Sequence, residues 1–167
     1  MAKLQHAREL HFDTLDELLA DAERIAVHPD APTRGAWSAS QNIWHVARYI
    51  QASVEGYPFL PPWWMKLIGP LMKRRLITQR MSPGFKAPSN VAKHMEPQSV
   101  SDEQTAIGPA VALLREWVGK AKSQGFIPAN PVFGKMTARQ WEQLHCRHAE
   151  HHFGLIALPD PASPSFN

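Results

Sequence analysis

The sequence predicts an all-α fold, a four-helix bundle with one long connection. Three observations predict it. A Ser or Thr followed three residues later by Glu or Gln occurs four times: Thr14 with Glu17, Ser38 with Gln41, Ser101 with Gln104, and Thr137 with Gln140. In a capping box these side chains satisfy backbone N–H groups orphaned at a helix start. Each pair also opens a segment with apolar residues at helical spacing. No segment of similar length alternates with period two.

The first helix is expected over residues 13–27, where Leu15, Leu18, Leu19, Ala22, Ile25 and Ala26 share one face. Pro29 stops it, because proline disfavours helix in the residue before it. The second is expected over 38–55, ending at Gly56 and Pro58. The third is expected over 101–122, ending before Gly125. Gly108-Pro109 within it implies a kink or a later start. The fourth is expected over 137–158, ended by Pro159. Residues 8–12 read as a short extended piece. Residues 1–158 are read as a single helical domain and 159–167, rich in Pro and Ser, as a flexible tail.

Residues 56–95 separate helices two and three and contain no Asp or Glu. They carry Lys66, Lys73, Arg74, Arg75, Arg80, Lys86 and Lys93, together with Phe59, Trp63, Trp64 and many prolines. A connection this long in a compact domain is functional or partly structured. Residues 63–79 are expected to form a helix interrupted at Gly69-Pro70. The segment 63–80 is expected to lie over the His45 end of the bundle and bound a pocket. Trp63 and Trp64 admit two readings. They pack the bundle, which is favoured, or with the neighbouring cations they touch a membrane surface.

Composition bounds the function. The chain has 167 residues, 44% hydrophobic and 20% charged, with a formal net charge of +3. That is ordinary globular composition. The mild charge argues against nucleic acid as a partner. Cys146 is the single cysteine, which excludes an internal disulfide and a multi-cysteine zinc site. No apolar run reaches the ~18 residues of a membrane span, so no stable membrane insertion is expected. The opening Met-Ala-Lys-Leu-Gln-His lacks the apolar stretch of a signal peptide, and a cytoplasmic location is the expectation.

Four of the nine histidines lie between positions 145 and 152. On a helix, His145, His148 and His152 fall within about 60° of one another, on the face of Trp141 and Leu144. His148 and His152 are i and i+4, so their rings can converge on one ion. His145 and His152 lie ~10.5 Å apart along the axis, too far to share an ion whose bonds to nitrogen are ~2.0–2.1 Å. A third ligand should therefore come from another helix, as in bundle-core metal sites. Glu150 falls on the opposite face, unsuited to act as a base there, and Cys146 also points away. His45 on the second helix is one candidate for the third ligand. It lies roughly 160° from that helix's apolar stripe, so periodicity alone reads it as a surface histidine. His94 is the competing candidate. His6, His11 and His28 have no evident partners.

The Trp37-Ser38 start with Trp44-His45-Val46-Ala47, and the final His148-x-x-x-His152-x-Gly154, resemble the DinB/YfiT-like superfamily. The loop Phe133-Gly134-Lys135-Met136-Thr137, followed by Trp141 and the His-rich last helix, is similar to a DinB-related family of unknown function. The likeness spans residues 8–158. Where many relatives carry Gly-Gln after the last histidine, this chain reads Phe153-Gly154-Leu155. The resemblance implies a DinB/YfiT-like four-helix bundle in up-down-down-up order, with a long, partly helical crossover between helices two and three. It also implies a divalent metal held by His45, His148 and His152. Imidazole suits zinc or nickel. Some relatives are metal-dependent thiol transferases or isomerases. The expectation is thus a metal-dependent enzyme, a hydrolase or a thiol-dependent transferase, acting on a small molecule that is anionic or a thiol. The alternative is a non-catalytic metal-binding or structural helical protein. A homodimer is also considered, because bundles with exposed aromatics often associate.

Overall fold

The computed structural model describes residues 5–81, 95–97 and 106–159. Among them are five helices and one two-residue hairpin. The helices are α1 (Leu15–Ala26), α2 (Ala39–Glu55), α3 (Trp63–Thr78), α4 (Ile107–Gln124) and α5 (Ala138–Phe153). Strands β1 (Ala129–Asn130) and β2 (Gly134–Lys135) pair antiparallel between α4 and α5.

Three of the four predicted Ser and Thr residues cap a helix start. Ser38 and Thr137 close full capping boxes with Gln41 and Gln140. Thr14 accepts from the Glu17 backbone N–H, while the Glu17 carboxylate reaches back one residue further, to the Asp13 N–H at 2.8 Å. The Ser101–Gln104 pair lies outside the described residues. α4 begins at Ile107, with Ala106 in an extended conformation. The later start therefore holds, and it places Gly108-Pro109 in the first turn, where a missing N–H costs nothing.

α2 packs on α4 and α5, and α1 packs on the same two helices. Their shared core includes Leu18, Ile25, Ile43, Val46, Ile50, Leu114, Cys146 and Phe153. A second, smaller core joins Ile77, Met136, Trp141 and Leu144. The Trp141 indole is fully buried and donates to the Ile127 carbonyl at 2.9 Å, which fixes the start of α5 under the hairpin.

Three expectations about the course of the chain need correction. The fourth helix ends at Phe153, not near residue 158. Beyond it the chain turns to bond with earlier segments. The Gly154 carbonyl accepts the Ala7 and Arg8 N–H groups, the Leu155 carbonyl accepts the Arg34 N–H, and Ile156 bridges Thr33. Residues 8–12 form no strand. They are a strap across the end of α5, held by Arg8 to Asp21 through two 2.9 Å bonds and by the Phe12 N–H to Glu150 at 2.7 Å. Finally, α3 is continuous through Gly69-Pro70. Gly69 is where α3 meets the hairpin loop so closely that a Cβ would overlap the Val132 carbonyl.

α3 packs on α5 and the hairpin. Its buried contact joins the Trp141–Leu144 end of α5 through Ile77. The helix thus covers the start of α5. Arg80 beyond it reaches the Arg8 carbonyl at 2.6 Å and the Glu150 carbonyl at 3.5 Å, near the far end of α5. The segment therefore lies along α5 and not over the His45 end of α2. Trp63 and Trp64 do not pack the core; both are exposed. No described helix is long and apolar enough to cross a membrane.

Candidate metal centre

α5 presents His148 and His152 one turn apart, and α2 presents His45 towards them. One ligand atom from each lies within 4.8 Å of the other two, and all three residues are buried. The Nε2 atoms of His45 and His148 are 3.1 Å apart. The cluster could hold a metal ion.

Hydrogen bonds decide which nitrogens are available. His45 Nδ1 lies 2.6 Å from the Met95 carbonyl. A carbonyl only accepts, so Nδ1 carries the proton and the Nε2 lone pair is free. His152 Nδ1 lies 2.9 Å from Asn42 Oδ1. Asn42 Nδ2 donates to the Ser38 carbonyl at 2.9 Å and the Trp37 carbonyl at 3.3 Å, which fixes its oxygen towards His152. His152 therefore also protonates at Nδ1 and frees Nε2. Outer hydrogen bonds of this kind orient metal-ligating histidines. His148 has a buried Nδ1 with no partner among the described residues. Its Nε2 faces the unprotonated Nε2 of His45, a placement that a proton or a cation must bridge.

Burial lowers the pKa of all three. His45 falls to about 4, against the opposing effect of the Met95 bond. His148 and His152 fall well below 6.5, through burial first and then the neighbouring imidazoles. The rings are thus neutral near pH 7, the state a metal requires. Three neutral imidazoles with no carboxylate among them form a donor set for a transition ion and not for calcium or magnesium.

Two half-buried aromatic rings flank the cluster. Trp37 stacks on His152 with centroids 5.5 Å apart and an 11° tilt, and lies 4.9 Å from His45. Tyr49, one turn beyond His45, lies 4.5 Å from the His148 ring. Burial pushes the Tyr49 hydroxyl up to about 12. In the sequence, Trp37 enters only as part of the family motif, and Tyr49 is not singled out. Asn42, His45 and Tyr49 share one stripe of α2, a pattern that periodicity could have shown.

His145 stays outside the cluster, as spacing requires. It is fully buried and bonds Ser53 Oγ at 2.8 Å. Cys146 is buried and its thiol is pushed up to about 12, chiefly by burial, which suits no nucleophile. Glu150 points away from the His45, His148 and His152 cluster; it pairs with Arg147 at 2.9 Å and lies 3.6 Å from His11 Nδ1. His94 lies outside the described residues. Two histidines do have partners, contrary to expectation. His6 Nε2 meets His151 Nδ1 at 3.1 Å, and His11 Nδ1 accepts from Arg147 at 2.9 Å. The strap brings both to α5, a contact that local spacing does not encode.

His45 is buried although the wheel puts it opposite the apolar stripe. α2 is covered on two sides, by α4 against the apolar stripe and by α5 with Met95 against the polar one. No curated protein and no solved structure matches the chain significantly. The family described as "Protein of unknown function (DUF1569)" matches residues 4–157, and the chain belongs to that family.

Proposed function

We propose that His45, His148 and His152 hold one divalent transition ion, zinc or nickel, and that the protein is a metal-dependent enzyme of hydrolase or thiol-transferase type. The proposal includes a single domain over residues 1–158 with the DinB/YfiT-like four-helix arrangement, α3 lying in the crossover, and a cytoplasmic setting. One observation carries it. Three neutral imidazoles from two helices converge, two of them with Nδ1 committed to a carbonyl oxygen and Nε2 turned free.

Bound there, such an ion acts as a Lewis acid and lowers the pKa of a water or thiol ligand. The remaining work belongs to the chain. Asn42 and the Met95 carbonyl hold the tautomers. Trp37 and Tyr49 form the walls that a small substrate would meet.

The test is metal content of untagged protein and of four single alanine variants. His45→Ala, His148→Ala and His152→Ala should lose the ion, and His145→Ala should keep it. Full metal content in His45→Ala would discard the triad and turn attention to His94. Fast exchange of an added thiol ligand at a loaded metal would support catalysis. A coordinatively closed ion would favour the structural alternative.

A further inference from the structure

α3 is apolar on two sides. One side packs on α5 and the hairpin through Gly69 and Ile77. The other lies open. Trp63, Leu67 and Leu71 form one i,i+4 row and are 75%, 66% and 82% exposed. Trp64, Ile68 and Met72 form the adjacent row and are also exposed. Six large apolar side chains thus form a contiguous stripe, the kind of patch that marks an interaction surface.

Cations frame this stripe. Lys66, Arg74 and Arg75 are exposed, and Arg75 continues the Trp63 row by one turn. No acid occurs anywhere between residues 56 and 95. This charge pattern selects among occupants. A second copy of the chain, packed about a two-fold axis, would bring this face against itself. Its cations would then meet only apolar side chains or further cations, with no carboxylate from the same segment to relieve them. A helix face that stands out from the fold, with two exposed tryptophans and flanking Lys and Arg, has the chemistry of an interfacial helix.

We propose that the outer face of α3 seats on an anionic lipid bilayer. Trp63, Leu67 and Leu71 enter the headgroup–acyl boundary, and Arg74 and Arg75 pair with headgroup phosphates. This inference does not rest on the metal centre.

The test is flotation of the full chain with phosphatidylcholine vesicles, with and without phosphatidylglycerol. The wild type should float with the anionic vesicles only, and added salt should release it. Replacing Trp63, Leu67 and Leu71 together by Ser should abolish flotation while far-UV circular dichroism stays unchanged. Reversing Arg74→Glu and Arg75→Glu should weaken binding by about tenfold or more. No flotation with anionic vesicles at low salt would overturn the proposal. So would equal binding to neutral vesicles. A dimer that the triple Ser variant turns into a monomer would assign the face to a second copy instead.

Discussion

Lowering the pH should unfold the metal-free protein over a narrow range, and the histidines set the size of the effect. His45, His145, His148, His151 and His152 are all buried, and burial is the leading cause that lowers the pKa of each. His145 falls to about 3, and His45 and His151 to about 4. In the unfolded chain each titrates near ~6.5. Below that value the unfolded state binds protons that the native state refuses, so stability is full above pH ~6.5 and falls as the pH drops towards the native values. Between pH ~7 and ~5.5 each of His45, His145 and His151 removes roughly 1 kcal/mol of stability, and His148 and His152 act in the same direction. Together they remove several kcal/mol, a large share of the whole stability of a small domain, about 5–15 kcal/mol. Urea unfolding of chelator-treated protein at several pH values measures this directly. His145→Phe should reduce the loss by roughly 1 kcal/mol, whatever its effect at neutral pH, because it deletes a group whose shift comes from burial alone. Stability that stays flat from pH ~7 to ~5.5 would refute the assignment of these rings as buried and neutral.

Asn42→Leu should keep the fold but weaken metal affinity by about 10–100-fold, the usual effect of removing an outer hydrogen bond to a ligand, as read by competition with a chelator. Gly69→Ala should cost about 1–3 kcal/mol in chemical denaturation, because the Val132 carbonyl occupies the space of the new methyl group and α3 must lift from the hairpin. Glu150→Leu should cost about 3 kcal/mol or more in the same assay, since Arg147 would stay buried without its carboxylate and the Phe12 N–H would lose its acceptor.

How much of this was legible in the sequence depended on whether the signal was local. The caps at Ser38 and Thr137 located two helix starts to the residue, since a capping box acts over three positions. The convergence of His148 and His152, and the exclusion of His145, followed from helical rise alone. His45 did not follow from periodicity. A wheel assumes one buried face, and α2 has two; the need for a third ligand made His45 a candidate beside His94, and the family likeness favoured it. The Met95 carbonyl was invisible because a main-chain acceptor leaves no mark in residue identity. The strap contacts of His6 and His11 were missed for a related reason: both join positions more than a hundred residues apart. Trp63 and Trp64 were misread because core and interface favour the same residue types.

The two outer partners of the centre differ in how they can change. Asn42 holds His152 by a side chain, so a single codon can strengthen, weaken or remove that bond. His45 is held by the main chain at Met95, whose oxygen survives every point mutation there. That oxygen moves only if the path of the chain leading to it is lengthened, shortened or bent. The basicity of His152 is thus open to substitution, while that of His45 drifts only through insertions and deletions in the preceding segment. Homologues that differ in the length of that segment should then differ in metal affinity, even where His45, His148, His152 and Asn42 are all retained.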